Sequence, residues 1–432
     1  MTAPYWSALR QFANETQRQL VFGLFAGGDT AVANATALIA TAPTDVVYSF
    51  GNEETDEKLV DEYGAKLRAI KAAIPSARLV APDTAIGPIK DFSTPVDVAA
   101  DADLQKHATY LGDFARKNAE VLEAVTWHTY DFRAEAIGGE DFGGLVWPPD
   151  SDNFSRWWNA SYLTIFDQTA DVVAEVVANV TTSVWLSETN SVCHHGLDNL
   201  TNAFGNSLWF VHRLGRAALR QHSTNQIMAR QSLVGPGYHY TLLATTTSPE
   251  LPAFVPNPDY WVTLLFRHLV GRGVVTDVVS ADPTRLAAFA FCPRVAGNGH
   301  VLLLISLDET DAIEVDFPGS AARRVEYLFA PAYDGPADDP PRYKLTSRIA
   351  SLNGVRLDPW VLFGSSDSRS GGVAAPARAV LDTARVVEAN RKSTTTTTGV
   401  VLPPLTFGFV HVLDPALTPD ACPAETSAAR PR

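Results

Sequence analysis

The chain has 432 residues, 46% of them hydrophobic, and a formal net charge of −14. That length accommodates two or three domains, or one barrel with an appended module. The acidic balance, with no cluster of Lys and Arg, argues against a nucleic-acid partner and against tight binding of a polyanion. No apolar run reaches the roughly 18 residues of a membrane span, so no transmembrane segment is expected.

From residue 19 to residue 272 strand-like and helix-like segments alternate. Strands are predicted at 19–25, 46–52, 77–82, 123–130, 182–188 and 226–234. They are short and rich in Val, Leu, Phe and Trp, as strands buried on both faces are. Helices are predicted near 32–41, 56–74, 103–120, 160–180 and 198–220. In the last of these, Leu200, Phe204, Leu208 and Val211 recur at spacings of four and three, which marks one buried face. A further helix follows the sixth strand. Asn257 suits its cap, Pro258 its first turn and Gly271 its stop. This βαβα order predicts a parallel sheet. Six strands fit an open doubly wound sheet, whereas an eight-stranded barrel requires two more before residue 19.

After about residue 275 short alternating segments appear at 286–291, 300–306, 324–329, 354–357 and 406–413. Pro, Gly and Asp clusters separate them, and Asn353-Gly354 is a hairpin signal. The expected organisation is a catalytic α/β unit over 1–274 and an antiparallel β-sandwich over 275–432. Residues 362–378 and 393–398 read as long surface loops.

Two predicted strands end on a glutamate. Val46 to Phe50 runs into Gly51-Asn52-Glu53, and Ser183 to Ser187 into Glu188-Thr189. In a (β/α)8 barrel the catalytic side chains sit at these C-terminal strand ends. Two carboxylates facing across such a mouth are the equipment of a glycoside hydrolase. The bland explanation, two structural salt bridges, needs no such context. Three cysteines, Cys193, Cys292 and Cys422, are too few for a disulfide scaffold and form no CxxC pattern. No metal site and no cofactor are expected.

Several further motifs stand in a fixed order: Val125-Thr126-Trp127-His128-Thr129-Tyr130, Val184-Trp185-Leu186-Ser187-Glu188-Thr189, Arg230-Gln231, Gly235 to His239, and Pro258-Asp259-Tyr260-Trp261. Together with Phe50-Gly51-Asn52-Glu53 they resemble the heparanase and β-glucuronidase family, glycoside hydrolase family 79. The resemblance runs with gaps from about residue 18 to residue 422. It implies a (β/α)8 TIM barrel, whose first strands are missing from this chain, followed by a C-terminal antiparallel β-sandwich. It also implies an N-terminal small-subunit piece that completes the barrel.

For chemistry, the resemblance implies a retaining glycoside hydrolase that cleaves β-glucuronide linkages in glycans or proteoglycans. Glu53 takes the place of the acid/base and Glu188 that of the nucleophile. Asn52 would bind the sugar 2-hydroxyl, Tyr130 would hold Glu188, and His128 would line the sugar site. Gln231 and Tyr238 are further substrate contacts, with Tyr238 and His239 both open as the match to the family's tyrosine. A disulfide between Cys292 and Cys422 is implied in the same way. Departures from the family pattern are Glu54 in place of a proline, the loop Cys193-His194-His195-Gly196 with one glycine, and Ile86 to Asp91 with a single lysine. The last weighs against heparan sulfate as the glycosaminoglycan. His194 and His195 are alternative charged donors to a substrate carboxylate.

Two other classes stay open: a non-catalytic heparanase-like carbohydrate-binding protein, and a barrel glycosidase acting on neutral sugars. Asn-x-Ser/Thr triplets start at Asn14, Asn34, Asn153, Asn159, Asn179 and Asn199. With the disulfide they lean towards a secreted or lysosomal glycoprotein, whose signal peptide would lie upstream because Met1 to Trp6 has no leader pattern.

Overall fold

The structure is a computed structural model. It describes residues 3–15, 19–53, 55–56, 59–87, 98, 101–132, 154–180, 182–193, 195–224, 227–230, 239–245, 254–275, 278, 280–294, 299–316, 324–358, 399–412 and 422. The loops expected at 362–378 and 393–398 lie outside the described residues.

Helix α1 (Ala3–Glu15) precedes strands β1 (Leu20–Leu24), β2 (Val46–Phe50), β3 (Arg78–Ala85), β4 (Ala124–Phe132), β5 (Ser183–Val192) and β6 (Ile227–Arg230). These pair in chain order as one six-stranded sheet, and every pairing is parallel. Helices α2 (Ala31–Ile39), α3 (Val60–Ala73), α4 (Ala102–Asn118), α5 (Ala160–Leu163), α6 (Ile165–Val176) and α7 (Phe204–Thr224) carry the chain between strands. Every residue of β2 is buried, in keeping with its mostly apolar sequence, in which Ser49 is the polar exception. Leu67 and Ile70 of α3, Leu111 and Phe114 of α4, and Ala170 and Val173 of α6 share one core with Tyr48, Leu79, Val125 and Trp127 of the strands. Each large side chain buried there stabilises by about 1.5–3 kcal/mol. On the other face Val47, Val80 and Ala124 pack with Trp185. Asp101 caps α4, accepting from the backbone N–H groups of Asp103 and Leu104.

Short strands β7 (Leu243–Thr245) and β8 (Phe254–Pro256) form a hairpin-like pair before helix α8 (Pro258–Leu269). The expected cap at Asn257 is not made by its side chain. Asn257 Nδ2 donates instead to the Thr241 carbonyl at 2.7 Å, a long-range bond that outcompetes the local one. Nor does Gly271 stop the helix, because α8 ends at Leu269 and the chain passes directly into strand β9 (Val270–Val275).

β9 opens the second sheet. With β10 (Leu286–Pro293), β11 (His300–Ser306), β13 (Arg324–Pro331), β14 (Ala350–Leu352), β15 (Val355–Arg356) and β17 (Phe407–Val412) it makes a seven-stranded array in the order β15-β14-β13-β17-β11-β10-β9. All of these pairings are antiparallel. Asn353 and Gly354 turn β14 into β15 with φ of 51° and 80°, as a two-residue primed turn requires. Side chains alternate between two environments. Phe289, Phe291, Leu303, Ile305, Phe407 and Phe409 face α7 and α8. Leu302, Leu304 and Val410 face the opposite way. There, among the described residues, the second layer is the two-stranded pair of β12 (Ile313–Asp316) and β16 (Gly399–Leu402), through Val315, Val400 and Leu402.

Helix α7 joins the two sheets. Phe204 stacks on Phe329 and Phe407. Gly215 lets Phe289 close on the helix, since a Cβ there would meet the ring at 2.6 Å. Cys292, on β10, is joined to Cys422 by a disulfide with a Cα–Cα distance of 5.3 Å. Cys193 is buried and lies outside that disulfide.

Candidate active site

The site forms from the turn after β2 and the C-terminal halves of β3, β4 and β5; Glu188, expected at a strand end, is followed by four more residues of β5, which runs to Val192. Two local irregularities aim its side chains. Between β4 and β5 the register slips from Trp127↔Leu186 to His128↔Glu188, so Ser187 is an extra residue. Between β3 and β4 it slips from Ala81↔Val125 to Thr84↔Trp127. Asp83 lies in that slip with φ 54°. Such bulges re-aim side chains at strand ends, and here they leave Ser187 and Glu188, although consecutive, both lining one cavity. After β2, Gly51 has φ 93°. A Cβ there would lie 1.7 Å from the Tyr63 hydroxyl, so the turn needs glycine. Glu53 follows, also left-handed at φ 53°. Its backbone N–H donates to the Asp83 carbonyl at 2.8 Å.

Glu53, His128 and Glu188 converge: one carboxylate oxygen of each glutamate and one imidazole nitrogen lie within 4.8 Å of one another. His128 Nδ1 is 3.7 Å from Glu53 Oε1 and 3.8 Å from Glu188 Oε2, electrostatic contacts longer than hydrogen bonds. Its Nε2 faces Asp83 Oδ1 at 3.4 Å. The Tyr130 hydroxyl, from the same face of β4, donates to Glu188 Oε1. Asp83 accepts on one oxygen from Ser187 Oγ at 2.6 Å and on the other from the Ser49 hydroxyl. Glu53 is half exposed, Glu188 mostly covered, and His128 and Asp83 are buried.

Burial would lower the His128 pKa, but Asp83, Glu53 and Glu188 outweigh it and push it up to about 10. The imidazole is therefore a cation at neutral pH. Burial acts to raise the Asp83 carboxyl, yet His128 and the two serine hydroxyls hold it below the usual aspartate range. Burial raises the Glu188 carboxyl, with the Glu53 charge adding to the effect. The His128 cation and the Tyr130 hydroxyl oppose that rise without cancelling it. Burial beside Glu188 pushes the Tyr130 phenol up, so it remains a donor. Two carboxylates and an imidazole are also the donor types of a cation site. A cation bound there would have to displace the imidazole proton.

The cavity beside them measures about 790 Å³, within the range of small-molecule sites. Asn52, Asp83, His128 and Glu188 line it, as do Val21 and Phe25 of the β1 side. Gln231 and Tyr238 lie outside the described residues, as do Glu54, Lys90 and His194. His239 Nδ1 faces Asp198 Oδ1 at 3.4 Å. Sequence reasoning missed two contributors. One is Tyr240, buried with Tyr130 and Cys193, its ring 6.5 Å from that of Tyr130. The other is Asp83, whose signal was present: a carboxylate at the end of a predicted parallel strand, after Pro82.

No family model matches the chain. It is 26% identical over 322 residues to heparanase-like protein 3 of Arabidopsis thaliana, covering 71% of this chain and 55% of that protein. It is 30% identical over 180 residues to the baicalin-β-D-glucuronidase of Scutellaria baicalensis, covering 40% of this chain and 30% of the other. It is 28% identical over 261 residues to mouse heparanase, covering 58% and 42%. The chain thus spans about half or less of the length of these curated relatives. Among solved structures, a GH51 arabinofuranosidase from Xanthomonas axonopodis pv. citri superposes with a TM-score of 0.55 at 12% identity, over 94% of this chain and 77% of that one. A family 44 xyloglucanase from Paenibacillus polymyxa gives 0.53 at 10% identity, over 94% and 83%. These two likenesses concern the fold: a parallel α/β sheet joined to an antiparallel sheet, as glycoside hydrolases have it. In sequence, the chain resembles the heparanase and β-glucuronidase family.

Proposed function

We propose that this chain is the larger part of a retaining glycoside hydrolase that cleaves β-glucuronide linkages. The observation that carries the reading is the approach of Glu53, after β2, and Glu188, on β5, to within 4.8 Å, oxygen to oxygen. Retaining glycosidases hold their two carboxyl groups about 5–5.5 Å apart, too close for a water between them. Glu188, gripped by Tyr130, is the nucleophile on the anomeric carbon. Glu53, half exposed beside the cavity-lining Asn52, protonates the leaving oxygen and then activates water. Asn52 on the cavity wall takes the sugar 2-hydroxyl, and His128 steadies the charge of both glutamates. Gln231 and Tyr238 remain proposed substrate contacts. The curated relatives, by name one heparanase, one heparanase-like protein and one β-D-glucuronidase, support glucuronide over neutral sugar.

In this reading residues 1–274 belong to a (β/α)8 barrel and 275–432 to a sandwich module. A further piece supplying two strands would close the barrel against β1 and β6. Supporting this, β1 and β6 are the outer strands of the parallel sheet. Phe25, just past β1, is 83% exposed, and Val21 is 45% exposed. Such an edge is a template for strand addition. The disulfide and the six glycosylation triplets support a secretory route to a lysosome or the exterior. The test is a panel of aryl β-glucuronide and aryl β-glucoside. Cleavage of the glucuronide supports the reading. Cleavage of the glucoside alone selects a neutral-sugar hydrolase, and cleavage of neither, with the completing piece supplied, selects a binding protein.

A further inference from the structure

We infer that Asp83 is a positioning residue for the proposed hydrolysis, fixing His128 between Glu53 and Glu188 through its carboxylate and the backbone of Glu53 through its carbonyl. The inference rests on the hydrolase reading for its consequence, but on geometry for its content. Asp83 is buried on β3. Its carbonyl accepts from the Glu53 N–H, in the turn after β2. Its carboxylate accepts from Ser49 on β2 and Ser187 on β5, and faces His128 on β4 at 3.4 Å. Its own N–H donates to Thr126 Oγ1 at 2.9 Å. No contact of Asp83 with the cavity's reacting centre is needed for this role.

Its effect passes through the imidazole. The titratable groups facing His128 among the described residues are Asp83 from β3, Glu53 after β2 and Glu188 from β5, with Tyr130 of its own strand bonded to Glu188. Three acids around one buried imidazole favour its protonated form. That cation in turn favours the ionised form of Glu188, the form a nucleophile needs. A neutral side chain at position 83 removes one of the three charges and unties the ring. His128 then loses its proton at lower pH. From a value of about 10 the imidazole still stays charged through the acid range, so Glu188 keeps its facing cation, loses the Asp83 charge that raises it, and ionises at lower pH.

The test uses Asp83→Asn, with Asp83→Ser as the second variant should the first not fold, and His128→Asn as reference. One readout is independent of catalysis: the ¹⁵N signals of His128 across a pH titration. In wild type both ring nitrogens should remain protonated at neutral pH. In either Asp83 variant the titration should move down by about one unit or more, the scale of a lost neighbouring charge. An unmoved titration overturns the inference whether or not the protein hydrolyses anything. The second readout is the acid limb of the kcat/KM profile on an aryl β-glucuronide. It should move to lower pH in the Asp83 variants, which remove a charge that raises Glu188, and to higher pH in His128→Asn, which removes the opposing cation. A uniform loss at every pH, with the limb in place, would mark Asp83 as merely structural. Absence of hydrolysis by wild type on every substrate would instead sink the hydrolase reading, leaving the imidazole titration to decide the role of Asp83.

Discussion

Tyr130→Phe removes one hydroxyl and leaves the ring in place. That hydroxyl is the donor to Glu188 Oε1, while the ring keeps its contact with Tyr240 at 6.5 Å. Folding should therefore be little changed, and the loss should fall on catalysis. A hydrogen bond to a charged group contributes about 1.5–3 kcal/mol. At about 1.4 kcal/mol per tenfold, that is a drop of roughly 10- to 150-fold in kcat/KM. The Tyr130 hydroxyl also works against the burial that raises the Glu188 carboxyl. Without it Glu188 needs a higher pH to ionise, so the acid limb should move up. The assay is kcat/KM on an aryl β-glucuronide through the acid and neutral range. A variant within about twofold of wild type, with its acid limb unmoved, would refute the claim that Tyr130 holds an ionised nucleophile.

Three further outcomes are expected. Glu188→Gln should abolish turnover on every substrate. Glu53→Gln should lose about 10²–10⁴-fold on glycosides with poor leaving groups but be partly spared in the first step of an activated aryl glycoside; equal, wild-type rates in both variants on a natural glycan would refute the assignment. For stability, His128 has a folded pKa of about 10 against an ordinary value of 6.5, so its pairing is worth most below pH 6.5 and is lost as pH rises towards 10. The contribution is on the order of a few kcal/mol. Thermal midpoints should fall across that window in wild type and not in His128→Asn, and equal slopes for the two would count against the charged imidazole. Replacing Cys292 and Cys422 by Ser opens a loop of 130 residues and should cost about 2–4 kcal/mol in urea denaturation. An unchanged midpoint would mean the bridge contributes nothing to folding.

Much of the fold was legible because its signals are periodic. Strands buried on both faces read as unbroken apolar runs, and β2 is buried throughout. The α7 stripe of Phe204, Leu208 and Val211 reports one buried face, although Leu200 belongs to the turn before the helix. Strand β9 was hidden because its sequence, Val270-Gly271-Arg272-Gly273-Val274-Val275, carries the glycines of a helix stop. Gly273 is explained only in three dimensions, since a Cβ there would lie 2.5 Å from Cys292 Sγ. β12 and β16 pair across a long stretch of sequence, which no local pattern encodes. At the site, Glu53 and Glu188 were visible as strand ends. Asp83 showed only as a carboxylate at a predicted strand end, and the part played by Ser187 did not show, because a bulge adds one residue without disturbing composition. Asn257 shows the same limit, a favourable local cap yielding to a distant carbonyl.

The central claim is that Glu53 and Glu188 act as a retaining pair on a β-glucuronide. It is tested most directly by ¹H NMR of an aryl β-glucuronide during early turnover. The expected result is β-glucuronic acid as the first product, with the α-anomer growing in later by mutarotation. Appearance of the α-anomer first would contradict the claim, because it requires a water between carboxylates that stand too close to admit one.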